Sequence, residues 1–364
     1  QVNNSEDELE NNIEDYQVNN SEDELENKNK IIYSIKKICG DIEFNIDIKY
    51  QIVDDYKIYP ISFGIPKNMI IENITEKNQN FFQYNLEKSV MLKYEKNPEN
   101  FYKELENSRF ILISKIENGL DDPIFYEALS KGCIPLFINN IPEKSCIFLP
   151  KELINSIKKV EGVNIGWVDE NKFSIEGFNK ISEHLLDYTK NYLTTESVAN
   201  YLINISDKEV NSVLFFANAH SDSDFLLQQS LLHGLKSKLG SSNVIDYPKE
   251  ISLYNKINKD KQIRLGLPYY NTINEENTSR GRINKRIENR EFDLIIIMGI
   301  FTEKDRNRLN LDNGDFLFKN EITSYYEKSE IFFIDGNRYD IEEPIEKRLN
   351  KYANQGLYFY KDLI

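Results

Sequence analysis

The stretch from Asn107 to Phe137, NSRFILISKIENGLDDPIFYEALSKGCIPLF, holds the residues whose order most plainly suggests chemistry. It reads as a strand, a polar loop containing Gly119, a helix carrying Tyr126 and Glu127, and a second strand entered after Gly132. A glutamate one turn into a helix that starts at a strand's carboxyl end can reach a cleft and accept hydrogen bonds from paired hydroxyls, as a ribose presents them. Gly132 lets the chain turn closely behind that helix. Spacing alone fits a second reading equally well, in which Glu127 is a solvated helix glutamate and GCIP an ordinary strand start. A second loop of interest runs from Asn218 to Asp224, NAHSDSD, directly after an apolar strand. His220 there has acid–base chemistry within its reach, with Asp222 or Asp224 to orient it. The competing reading is helix-start chemistry, in which Ser221, Asp222 or Ser223 caps the following helix and His220 is a polar loop residue. His184 and His233 lie inside helical stretches and read as packed or surface positions. Asp121-Asp122 reads as a solvated turn or, less simply, a divalent-cation pair, and no metal site is expected.

The elements that must position these residues follow from periodicity. PENFYKELENS, FNKISEHLLDYTKNYL and ESVANYLINIS carry apolar residues at helical spacing, and RFILIS and CIPLFI are strand-length apolar runs. From Asn211 a new βα series begins. SVLFFANA, NVIDYP, FDLIIIMGI, EIFFIDG and GLYFYKDLI read as five strands, with a helix from Asp224 to Leu239 closed by Gly240. Such alternation predicts an α/β fold with parallel sheets covered by helices on both faces. The organisation expected is an acidic tail over 1–29, a Rossmann-like domain over 30–205 and a second over 206–364, facing each other across a cleft.

S-R-F, a glycine-containing polar loop, Y-E-A-L and G-C-I-P-L together resemble the donor-binding half of exostosin-like glycosyltransferases of the GT-B fold. YPISFGIP, from Tyr59 to Pro66, and the NFFQYN after it are similar to the segment preceding that motif in relatives. LFFANAHSD, LLHGLKSKLG, NVIDYPK, REFDLIIIMGI and EIFFIDG resemble the partner half of the same enzymes, with the two halves in inverted order. That order fits either a circular permutation or a window cut across a tandem array, and a start inside a repeat favours the window. The resemblance implies a transferase that moves a sugar from a nucleotide-sugar donor, UDP- or GDP-linked, to a hydroxyl of a glycan or glycoprotein acceptor, with no further cofactor. It implies a donor site of Ser62, Lys115, Gly119, Tyr126, Glu127 and Gly132, with Glu127 on the ribose and Lys115 on the phosphates. Across the cleft His220 would be the base, supported by Asp222 or Asp224. Two departures stand out. Gly119 occupies the position, eight residues before Glu127, where many GT-B enzymes carry an acidic residue, and DDPIF replaces the arginine that relatives usually place before the Y-E pair. They motivate the alternative of a catalytically inactive glycan-binding or scaffold module.

Composition narrows the remaining classes. The 364 residues carry 45 basic and 60 acidic side chains, a net charge of −15, with ten of the acidic residues between Glu6 and Glu26. Without a basic domain, nucleic acid is not an expected ligand. RGRINKRIENR, from Arg280 to Arg290, is the one basic cluster, read as an exposed helix of alternating charge or, more sharply, as a contact for a phosphate or acidic glycan. Three scattered cysteines argue for a reducing, cytoplasmic setting rather than a disulfide framework. The longest apolar runs are too short to span a bilayer. No Walker loop, H-E-x-x-H, G-x-S-x-G or paired C-x-x-C occurs. QVNNSEDELEN stands at 1–11 and again at 17–27, a repeat too poor in apolar residues to build a core and expected to be disordered. Its start within a repeat suggests a piece of something longer. The Asn, Ile and Lys bias is what AT-rich coding produces. Removing residues 1–27 should therefore leave the melting temperature nearly unchanged. A marked drop in a thermal scan would show that the repeat packs on the fold.

Overall fold

The computed structural model describes residues 31–35, 44–48, 50–53, 55–82, 98–113, 123–137, 155, 157, 160–164, 167–217, 222–254, 272–274, 278–299, 316–336 and 344–361. The class is α/β, Rossmann-like, with a mostly parallel main sheet. Its strands are β3 (Gln51–Val53), β4 (Tyr56–Ile61), β10 (Val213–Phe216), β11 (Val244–Tyr247), β12 (Leu294–Met298), β13 (Ile331–Asp335) and β14 (Leu357–Lys361). They lie in the order β11-β10-β12-β13-β14-β4-β3, parallel throughout except for β3, which pairs antiparallel with β4. A smaller parallel sheet has the order β5-β6-β7, from Gln79–Phe81, Ser108–Ile113 and Ile134–Phe137. The other described strands form two antiparallel pairs, β1 (Ile31–Ile35) with β2 (Phe44–Ile48) and β8 (Val163–Asn164) with β9 (Trp167–Val168).

β10, β12 and β13 are buried along their whole length, which is why VLFF, LIIIM and IFFID are unbroken apolar runs rather than alternating ones. Alternate residues serve different cores. Leu214, Phe216, Ile295 and Ile297 face one side, under helices α6 (Ile283–Glu288), α7 (Lys319–Tyr325) and α8 (Ile345–Tyr352). Val213, Phe215 and Ile296 face the other, where α4 (Thr195–Ile205) and α5 (Asp222–Leu239) pack. This second core continues without a break into the small sheet and its helices α1 (Pro98–Asn107), α2 (Pro123–Ser130) and α3 (Ile175–Tyr192), through Phe101, Leu105, Phe110, Ile134 and Phe178. Strand β4, which the sequence reading groups with residues 30–205, pairs with β14 in register Ile58 to Tyr358. The first unit therefore lends a strand to the sheet of the second.

Three segments meet where the sheets join. Beyond β4, the Gly64 amide donates to Ser230 Oγ of α5 (2.8 Å), and that hydroxyl also lies 3.2 Å from the Gly64 carbonyl. Ile65 bridges the turn between α3 and α4, its amide on Leu193 O (2.8 Å) and its carbonyl receiving the Thr195 amide (3.1 Å). A Cβ on Gly64 would sit 2.7 Å from Thr194 O, and one on Gly234 of α5 only 2.0 Å from Thr195 O. Thr194 caps α4 by accepting the Ser197 amide, and Thr195 Oγ1 lies 2.8 Å from His233 Nδ1. In an exposed helix a Gly→Ala change gains roughly 1 kcal/mol. At Gly234 the added methyl meets backbone, so Gly234→Ala should instead lose about 1–3 kcal/mol in urea unfolding. An unchanged or raised midpoint would show that α4 and α5 do not approach this closely.

Candidate functional site

Helix α2 begins on Pro123, whose missing amide suits a first helical position, and ends through Gly132. Gly132 has φ +62°, and the Lys131, Gly132 and Cys133 amides return to Ala128 and Leu129 carbonyls. A Cβ there would meet Ile74 Cδ1 at 2.3 Å, and the Gly132 carbonyl accepts Ser182 Oγ of α3 (2.7 Å). The glycine closes the helix and seats it on its neighbours. Ser62 and Tyr126 are both buried and share a hydrogen bond of 2.6 Å, tying the end of β4 to the helix that carries Glu127.

Glu127 is 2 % exposed, so it is not the solvated helix residue that spacing allowed. Its carboxylate turns toward α1, where Tyr102 OH approaches Oε1 at 3.4 Å, long for an O–H···O bond. Oε2 is buried and has no hydrogen-bond partner among the described residues. Lys131 sits one turn on, but its ammonium donates to Met69 O (2.6 Å) and lies over the Tyr102 ring. Burial pushes the Glu127 carboxyl well above its ordinary pKa, and Lys131 only partly opposes this. Lys77, buried, donates to Glu106 O (2.6 Å) and Lys131 O (2.7 Å), holding the carboxyl ends of α1 and α2 with one ammonium. Burial brings its pKa down to about 8, and raises the adjacent Cys133 thiol to about 12, the form of an inert buried cysteine. Nothing in the local sequence marks Lys77, Tyr102 or Lys131 for these roles.

Lys115, Gly119, Asp121, Asp122 and His220 lie outside the described residues, as do the side chains of Asp222 and Asp224. The backbone of the last two forms the start of α5, two residues earlier than the periodicity placed it. Around the two first strands of the second unit, the order β11-β10-β12 reverses direction, which puts the chain leaving β10 at a topological switch point of the sheet. Among the described residues no group of His, Cys, Asp and Glu could hold a metal ion, and no helix is long and apolar enough to cross a membrane.

Beside β11 a polar cluster fixes α5. Asp246, fully buried, receives Arg280 Nη2 (2.5 Å), Tyr254 OH (2.7 Å) and the Glu250 amide (2.7 Å), with Lys236 Nζ at 3.3 Å. Burial would raise its pKa, but Lys236, Tyr254, Glu250 N–H and Arg280 together hold it below the ordinary value. The basic stretch after Arg280 is likewise engaged within the fold: Lys285 with Glu288, Arg286 with Glu291, and Arg290 with both oxygens of Glu330. These internal pairs favour the plainer reading of that cluster.

Comparison with protein-family models, curated proteins and solved structures returns no match for this chain.

Asp246 is a carboxylate whose folded pKa is depressed, so its contribution to stability is present above about pH 4 and is lost as pH falls through the folded value. Asp246→Asn should cost about 3–5 kcal/mol at neutral pH by leaving buried cations unpaired. In urea unfolding across pH, the gap to wild type should narrow below about pH 4; a gap independent of pH would mean that the charge of Asp246 is not what the cluster uses.

Proposed function

We propose that this chain is a glycosyltransferase of the GT-B type that transfers a sugar from a UDP- or GDP-linked donor to a hydroxyl of a glycan or glycoprotein acceptor, working in the reducing cytoplasm. The observation that carries this reading is Glu127: a buried carboxylate with one oxygen lacking a protein partner, on the helix after β6, in the sequence context that resembles an exostosin-like donor site. Two hydroxyls of a ribose would supply the donors that the protein does not. Ser62 and Tyr126 then act on the donor site by tying the Glu127 helix to the main sheet, and Gly132 by ending that helix. Lys115 meets the donor phosphates. His220, four residues after β10 in the sequence, takes the acceptor hydroxyl's proton as the new glycosidic bond forms and the nucleotide departs with the old bond's electrons, with Asp222 or Asp224 holding the imidazole.

One observation favours a second reading. The enclosure of Glu127, together with Gly119 in place of an acidic residue, suits a glycosyltransferase-like module that binds glycan or acts as a scaffold without turnover. Calorimetry with a panel of nucleotide sugars separates the two. Micromolar binding of a UDP or GDP donor, weakened by about 1.5–3 kcal/mol in Glu127→Ala, is the outcome expected of the transferase. Glycan binding without nucleotide binding would replace it with the inactive module, and nucleotide affinity unchanged in Glu127→Ala would remove the ribose assignment.

A further inference from the structure

We infer that the free protein holds Glu127 as a neutral carboxylic acid, and that docking of a ribose diol expels its proton, so that nucleotide binding is coupled to proton release. The inference rests on the donor-site reading above. It starts from an imbalance of donors. An ionised carboxylate enclosed by protein needs hydrogen bonds at both oxygens, and here Oε1 has one long bond from Tyr102 while Oε2 has none. Among the described residues, the ionisable groups on the surrounding elements do not make up the deficit. On α1, Tyr102 is a neutral phenol held in that state by burial, and Glu106 is of like charge. After α2, Lys131 is directed at Met69 O and Cys133 is a protonated thiol. Before β5, Lys77 is committed to the Glu106 and Lys131 carbonyls. On α3, the buried polar residues are Ser182, Tyr188 and Thr189, none of them charged.

Burial without compensation favours the acid form, the direction in which this carboxyl is displaced. A cis-diol reverses the balance. Its two O–H groups donate to the two carboxylate oxygens, the Glu127 O–H bond breaks, and the proton leaves to solvent and buffer. Nucleotide affinity then rises with pH, by up to about tenfold per unit while the free form remains protonated.

Two measurements decide. Infrared difference spectra of the nucleotide-free protein, wild type minus Glu127→Gln, should show a protonated carboxyl C=O band at neutral pH that fades as pH rises. Its absence would mean that Glu127 is ionised, overturning the inference while leaving the ribose contact standing. Calorimetric titration with UDP and with GDP, in two buffers of different ionisation enthalpy, should give close to one proton released per nucleotide bound in wild type and none in Glu127→Gln. Binding with no proton release overturns the coupling alone; no nucleotide binding overturns it together with the donor-site reading. Tyr102→Phe provides a check by a variant that keeps Glu127. Losing the one donor to Oε1 should move the fading of the infrared band, and the rise in affinity, to higher pH, and an unmoved profile counts against the proposal.

Discussion

Two sheets can share one core only if something holds their backbones at a fixed separation, and here that is the contact of Gly64, Thr194-Thr195 and Gly234. Neither glycine has room for a Cβ, because each lies against the Thr194-Thr195 backbone. Their amides and carbonyls are satisfied across the junction, by Ser230 on one side and by Ile65 and Leu193 on the other. A loose apolar interface would let the small sheet slide on the large one, because dispersion and burial have no direction. Backbone contact with paired hydrogen bonds removes that freedom. The position of Ser62, two residues before Gly64, and therefore of Tyr126 and the Glu127 helix, is inherited from this crossing.

Against that frame the buried charges fall into two kinds. Asp246 meets two cations, a phenol and an amide, Glu330 is clasped by Arg290 and Lys208, and Asp335 by Arg348 and Tyr358. In each the acid is surrounded by donors, as a carboxylate removed from water must be if it is to remain ionised. Glu127 is built differently. Lys131, one turn on, is turned toward the Met69 carbonyl, and among the described residues only the long Tyr102 contact meets the enclosed carboxyl. Arrangements of that sort cost stability and suit groups whose partner arrives from outside.

Much of the architecture was readable in the sequence because it depends on local pattern. VLFF, LIIIM and IFFID are too short for helices and rich in β-branched and aromatic residues, as buried strands are, and Gly240, at φ +90°, ends α5 where a chain must turn left-handed. Partner choice was not readable. In the sequence YPISFGIP stands out only for its resemblance, with no strand assigned there, yet Tyr56–Ile61 pairs in parallel with β14, nearly 300 residues on. The burial of Glu127 was equally hidden, since it depends on where Tyr102 of another helix lies. The basic run at Arg280 reads as an exposed helix of alternating charge, and its pairs with Glu288, Glu291 and Glu330 fit that reading, while the engagement of Arg280 with buried Asp246 left no mark in the sequence.

The pairing of β4 with β14 also orders events during synthesis. Tyr56 accepts a hydrogen bond from Asn354, 298 positions later, so the β14 neighbour of β4 does not exist until nearly 300 further residues have been made. At ordinary elongation rates that delay is roughly 15–60 s, against microseconds for the β3–β4 hairpin to form. β3 covers one edge of β4 almost at once. The other edge waits, hydrogen-bonding groups unfilled, on a ribosome whose neighbours are presenting the same strand. Until β14 emerges, that edge of β4 is an open strand edge of the kind that pairs between chains.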